Sequence, residues 1–250
     1  MWPAYLINMA ENTERLRNSK AQFVSLGIQF ERINAVDGKM LLEKEIKNAY
    51  DAKTNSYHAR SPLVASEIGC YLSHIEAWKK IAQGDFQGGF IFEDDFQASD
   101  DLGTLLGLLS EGPGSWDMVK LFSLNTNPKY ITRRPLGSDH IIVKPYRVPT
   151  CAIGYGLRKS TAQRLLDCSI PFFRPVDEDH KFFWEKDLKV ELVLPPPVTI
   201  GNQQAVTGTV GEERRAAKPT RFHMRMLRGI RSLLYQIRYT ALLHWHRAIR

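Results

Sequence analysis

Cysteine is scarce: the 250 residues hold three, Cys70, Cys151 and Cys168, none in a CxxC pair. That count and spacing exclude a disulfide framework and a cysteine-built structural zinc site, and they suit a reducing compartment. No run approaches about 18 apolar residues, so no spanning helix is expected. The opening stretch, MWPAYLINMAENTERLR, has neither the basic segment nor the long apolar segment of a secretory leader. GxxxxGK[ST], GxSxG, HExxH and a complete GxGxxG are all missing, and GYG at 154–156 is too short to stand for the last. Acid is also missing from residues 221–250, which carry seven Arg. Removing those seven from the 34 basic residues leaves 27, equal to the 27 acids, so the formal charge of +7 belongs to the tail and residues 1–220 are neutral. A neutral body without a recognition module excludes nucleic acid as the expected partner.

What is present alternates between strand and helix. AYLIN (4–8) is a buried-strand run, residues 11–27 form a helix stopped at Gly27, and IQFERINAV (28–36) alternates like a second strand. Strand, helix and strand in so short a span imply a crossover onto a parallel sheet. Residues 39–64 have no period and read as an irregular excursion. Residues 66–84 form a helix with Ser66 as cap, an apolar face of Ile68, Leu72, Ile75 and Ala82, and a neighbouring stripe of Glu67, Cys70, His74 and Trp78. Further strands are expected at GGFIF, 116–122, 140–146, 151–157 and 189–198, with helices at 99–109 and 159–167. The fold class is therefore α/β.

GGFIFEDDF (88–96) sets Glu93, Asp94 and Asp95 where an apolar strand ends. In extended backbone Glu93 and Asp95 share one face and Asp94 takes the other. Two carboxylates about 6 Å apart repel by roughly 3 kcal/mol at an effective dielectric near 20. Solvation, a shared proton or a cation relieves that repulsion, and these residues alone leave a metal site and a structural or surface role equally open. Helix capping explains Asp100–Asp101 after Ser99 but not acids abutting the strand. Oxygen ligands point to Mg²⁺ or Mn²⁺. Cys70 and His74, four apart on a helix, are a further ligand pair, though such a pair is more often packed beside a core.

Taken together, YLINMAENTERL, GIQFERINAVDG, SEIGCYLSHIEAW, FIFEDD, WDMVKL and PVDEDHKFFWE, spread over residues 4–184, resemble glycosyltransferase family 25, the lipooligosaccharide and collagen galactosyltransferase family. The resemblance implies a GT-A-like single Rossmann-type domain with a mostly parallel central sheet over residues 1–220. It implies a UDP-sugar donor, UDP-galactose or UDP-glucose, and inverting transfer to a hydroxyl of a glycolipid or oligosaccharide such as lipooligosaccharide. EDD then stands for the family's DxD-like motif, with Glu93 and Asp95 holding Mn²⁺ or Mg²⁺ and Asp94 beside the donor. Asn8, Arg15, Asp37, Glu67 and His74 carry over as donor-binding candidates. Asp177, slightly ahead of Asp179, carries over as the base in PVDEDH. After PPPV the chain keeps Gln203 and Gln204 but lacks the serine-rich stretch that follows in the family, which leaves the acceptor side open. A phosphoryl-transfer or phosphodiester enzyme on the same acids, and a catalytically silent member, stand as alternatives.

Residues 221–250 form an amphipathic helix. Met226, Leu227, Ile230, Leu233, Leu234, Ile237, Ala241 and Trp245 make its stripe, Arg221, Arg225, Arg228 and Arg250 lie opposite, and Arg231 and Arg238 flank. Such a helix suits an anionic membrane surface or packing against protein. The expected place is the cytoplasm, peripheral on the inner face of the cytoplasmic membrane.

Overall fold

The computed structural model describes residues 1–112, 115–201, 209–217 and 222–249; Gln203, Gln204, Arg221 and Arg250 lie outside the described residues. Strand β1 (Ala4–Asn8) is buried along its length. Its alternate side chains enter two cores, Tyr5 and Ile7 on one face, Ala4 and Leu6 on the other. Helix α1 (Thr13–Ser25) follows, ended by Gly27 at φ +65°, a left-handed conformation that glycine adopts without strain. The chain returns as β2 (Phe30–Asn34), parallel to β1, which is the expected strand–helix–strand unit.

The expectation of irregular structure over 39–64 is overturned by two short helices, α2 (Glu43–Ala49) and α3 (Ala52–His58). Two turns are too few to show a hydrophobic period. Side chains hold their first turns instead: Glu45 accepts from the Leu42 N–H at 2.7 Å and Asp51 from the Thr54 N–H at 2.9 Å. Then come α4 (Ala65–Gln83), β3 (Gly88–Glu93), β4 (Phe96–Ala98), α5 (Leu102–Glu111), β5 (Met118–Lys120), β6 (Tyr130–Leu136), β7 (His140–Pro145) and β8 (Gly154–Arg158). They are followed by α6 (Lys159–Cys168), α7 (Val176–Lys181), a 3-10 turn at Phe183–Lys186, β9 (Val190–Leu194), β10 (Val198–Ile200), α8 (Thr209–Ala216) and α9 (Phe222–Ala248).

Eight strands form one sheet in the order β2-β1-β3-β8-β5-β9-β7-β6, and β4 pairs with β10 apart from it. The pairs β1–β2, β1–β3 and β5–β9 are parallel; β3–β8, β5–β8, β7–β9 and β6–β7 are antiparallel. The sheet is thus mixed. Most strands share one direction, but β7 and β8 oppose it. No helix lies between β5 and β8 in the chain, and parallel neighbours need such a crossover. Helices α4, α6, α7 and α9 cover the face carrying Tyr5, Ile7, Ile91, Met118 and Tyr155; α1 and α5 cover the face carrying Leu6, Phe90, Phe92 and Val119.

Helix α9 packs with the opposite side to the one its sequence suggests. Tyr235, Tyr239 and Leu243, four residues apart, enter the core beside Phe182, Phe183 and Trp184. Arg231 donates to the Ala59 carbonyl at 2.7 Å, and Arg247 to the Pro145 and Tyr146 carbonyls at 2.6 and 3.1 Å. The aliphatic stripe faces outward, with Leu233 and Leu234 each 61% exposed and Trp245 65%. The reason is polar satisfaction: these guanidinium groups find backbone acceptors on the body that an aliphatic face has no use for.

Where β2 ends, α4 crosses it glycine to glycine. A Cβ on Gly69 would lie 2.4 Å from the Val36 carbonyl oxygen and 2.6 Å from the Gly38 nitrogen. Backbone cannot yield as a side-chain tip can, so Gly69→Ala is expected to cost about 1–3 kcal/mol. Urea unfolding measures it, and an unchanged midpoint contradicts this packing.

Candidate active site

The carboxyl ends of β1, β3 and β5 meet at one edge of the sheet, where open α/β sheets bind ligands. Asn8, Glu93 and Lys120 end those strands. The stripe of α4 crosses beneath them, burying His74 and Trp78, and α7 brings Asp177. Extended backbone stops at Glu93, and the three acids part company there.

Asp94 turns towards α1. Its carboxylate accepts from Asn8 Nδ2 at 2.6 Å and Arg15 Nη1 at 2.9 Å, and its carbonyl accepts from Ser19 Oγ at 3.0 Å. Burial pushes the Asp94 carboxyl up, with Asn8 and Arg15 opposing. Asn8, Arg15 and Asp94, three of the donor-binding candidates, therefore meet one another as a brace between β1, α1 and the acidic turn. Glu93 goes to the other side, where its Oε1 lies 3.1 Å from His74 Nε2. His74 Nδ1 lies 2.8 Å from Tyr155 Oη, which also accepts from Trp78 Nε1 at 2.9 Å.

Asp95 is 7% exposed, and its Oδ1 has no hydrogen-bond partner among the described residues. Burial and then the neighbouring Glu93 push its carboxyl up to about 7. A buried, unpartnered carboxylate oxygen next to a second carboxylate has the donor chemistry of a divalent-cation ligand, so these residues fit the ion that the sequence implies.

The remaining candidates separate by their partners. Asp177 accepts from the Cys151 N–H at 3.1 Å and the Glu178 N–H at 2.8 Å and keeps partial exposure. Asp179 is buried against Arg174 (2.7 Å), Lys186 (2.6 Å) and the Tyr71 hydroxyl (2.6 Å). Burial alone would raise its carboxyl, but Lys186 and Arg174 outweigh it and hold the group below the usual range. Both oxygens are committed, which suits a structural charge hub and not a proton acceptor. Glu67 accepts from the Val64 N–H at 2.8 Å at the start of α4 and pairs with Arg214 of α8. Asp37 accepts from the Lys39 N–H at 2.9 Å, the geometry of a turn.

Lys120 went unseen in the sequence reading. Its ammonium is fully buried, donates to the Cys151 carbonyl at 2.5 Å, and has Asp177 and Glu93 among its charged neighbours; burial pushes its pKa down. The available signal was a lone cation inside the apolar run WDMVKLF. Loop residue Cys151, whose thiol burial and Glu93 push up to about 12, and Tyr155 also escaped notice.

A family model described as glycosyltransferase family 25 (LPS biosynthesis protein) matches residues 1–179. Procollagen galactosyltransferase 1-A of Xenopus laevis is 30% identical over 193 residues, covering 73% of this chain and 31% of that protein. A glycosyltransferase 25 family member of Anopheles gambiae is 29% identical over 188 residues (70% and 30%). Inactive glycosyltransferase 25 family member 3 of Homo sapiens is 30% identical over 184 residues (70% and 30%). The chain spans about a third of the length of these curated relatives.

The Asp95 environment sets a pH dependence for the metal-free protein. Folded, the group holds its proton up to about 7; unfolded, it releases it near 3.8. Between these values the folded state binds more proton, so this group costs stability as pH rises from about 4 to about 7. Asp95→Asn removes that cost, and it is expected to raise the melting temperature more at about pH 8 than at about pH 5. Equal shifts at both pH values contradict the assignment.

Proposed function

The chain belongs to glycosyltransferase family 25, and on that premise we propose that it transfers a hexose from UDP-galactose or UDP-glucose, with inversion, to a hydroxyl of a cell-envelope glycolipid such as lipooligosaccharide. The observation that carries the reading is the buried Asp95 oxygen, unpartnered among the described residues, beside Glu93 at the carboxyl edge of the sheet. The names of the relatives support a galactosyl donor, and the description of the family supports an envelope acceptor.

In this reading Glu93 and Asp95 hold Mn²⁺ or Mg²⁺. When bound, the ion supplies positive charge against the donor diphosphate. Lys120 adds a buried cation behind the same acids. Asp177 takes the proton of the acceptor hydroxyl while that oxygen forms its bond to the sugar C1; the C1–oxygen electron pair departs with the diphosphate. Asp177 suits the role because, among the described residues, backbone N–H groups hydrogen-bond its carboxylate, whereas Asp179 is neutralised by two cations. A silent member is the second reading, favoured by the inactive human relative.

We place the acceptor at a membrane surface through α9. Its outward stripe of Met226, Leu227, Ile230, Leu233, Leu234, Ile237 and Trp245 is exposed, and no described helix is long and apolar enough to cross a membrane. The helix contains no Asp or Glu, so nothing on it repels an anionic lipid surface. Tyr235, on the inward face of α9, donates to Glu178 at 2.5 Å, next to Asp177, which fixes this helix beside the segment carrying the proposed base. The three unpaired cysteines accord with a place on the cytoplasmic face.

Turnover with a donor panel, with and without added Mn²⁺, tests the reaction. Asp177→Ala is expected to lower kcat by about 10²–10⁴-fold with donor affinity kept. Consumption of no nucleotide sugar, with donor binding intact, establishes the silent reading instead. Asp179→Asn is expected to act through stability, by roughly 3–5 kcal/mol in urea unfolding, because it removes the one negative charge that two buried cations share. Sedimentation with vesicles containing anionic lipid tests the membrane contact. Leu233→Glu with Ile237→Glu is expected to weaken binding by about tenfold or more; undiminished binding contradicts the assigned face.

A further inference from the structure

Among the described residues, the ligand-type side chains that gather as a trio are not the pair the motif selects. Cys70 Sγ, His74 Nε2 and a Glu93 carboxylate oxygen all lie within 4.8 Å of one another. They meet for a plain reason. Cys70 and His74 stand four apart on α4, so they share a helix face, and β3 ends with Glu93 over that face. The Gly38–Gly69 crossing holds α4 close enough for the contact.

His74 Nε2 and Glu93 Oε1, 3.1 Å apart, need either a proton on Nε2 or a cation between them. A proton on the imidazole meets that need and leaves Cys70 without a part in it. A metal ion meets it and uses all three groups. Tetrahedral zinc with nitrogen and oxygen ligands at about 2.0–2.1 Å places those ligands about 3.3 Å apart, which the observed 3.1 Å approaches. The supporting shell is also built. A hydroxyl oxygen has two lone pairs, so Tyr155 Oη can accept from both Trp78 Nε1 (2.9 Å) and His74 Nδ1 (2.8 Å). In that tautomer the Nε2 lone pair faces Glu93 and Cys70. Histidines that ligate metals are oriented in this way through their other nitrogen.

We propose that Cys70, His74 and Glu93 form a three-ligand site for a borderline divalent ion of the zinc class. Sulfur and imidazole ligands select such ions over Mg²⁺, and three protein ligands leave one position open. His74 is fully buried while Glu93 is 28% exposed, so the open position lies on the side of Glu93 and the acidic turn. The site shares Glu93 with the Mn²⁺ or Mg²⁺ pair of the transferase reading and goes beyond that reading; its occupancy is measured without donor or acceptor.

Cobalt(II) titration of the full chain tests it. A sulfur-to-cobalt charge-transfer band, with the intense visible bands of four-coordinate cobalt, is expected at one ion per chain, displaced by Zn²⁺. The chain has three cysteines, so the band should survive Cys151→Ser and Cys168→Ser and vanish in Cys70→Ser. Survival in the first two variants identifies the ligand even where Cys70→Ser fails to fold. Tyr155→Phe should weaken Zn²⁺ binding by about 10–100-fold, as loss of such an orienting partner does. Absence of the band, its loss in Cys151→Ser, or its persistence in Cys70→Ser overturns the site. Turnover that persists with no thiolate band sinks this site alone and leaves the transferase reading standing.

Discussion

Ending a buried strand in three carboxylates is the constraint around which this edge of the molecule is organised. β3 must be apolar because both of its faces are covered, yet Glu93, Asp94 and Asp95 follow without a break. Charge of one sign in a low-dielectric setting has to be paired, protonated or neutralised by a cation. The fold uses a different answer for each acid. Asp94 is paired with Arg15 and Asn8, Glu93 meets His74, and Asp95, whose Oδ1 has no partner among the described residues, holds a proton up to about 7.

The same electrostatics separates function from framework elsewhere. Asp179 lies among Arg174, Lys186 and Tyr71 and ties α7 to its surroundings. Asp177, two residues earlier, meets backbone donors and keeps partial exposure. A neutralised carboxylate and an available one thus arise within a single turn of helix. Glu178 between them reaches α9 through Tyr235. Proposed base, charge hub and the anchor of the outer helix are therefore consecutive residues of one segment.

Much of the fold was legible because it rests on periodicity. The apolar run of β1, the stop at Gly27, the stripe of α4 and the entry into β3 come straight from spacing. Helices α2 and α3 did not, since two turns carry no period. The opposed direction of β7 and β8 did not either, because pairing partners lie far apart in the chain. For the site, the types of residue and the opposite facing of Glu93 and Asp94 were readable. What Asn8, Arg15 and Glu67 face was not, because each is decided by a partner from another element.

Helix α9 marks the boundary between the two kinds of information. Its sequence by itself determined that it is a helix, that it is amphipathic and that it has no acid to oppose its arginines. Which face turns inward was settled by the body, whose free carbonyls at Ala59, Pro145 and Tyr146 capture Arg231 and Arg247. The acidic cluster divides in the same way. Three acids after an apolar strand follow from the sequence, but strand parity stops applying at Glu93, where the extended backbone ends. Which acid is paired, which meets a histidine and a thiol, and which stays unpartnered depends on α1, α4 and α7, and only tertiary packing brings those helices to the strand end.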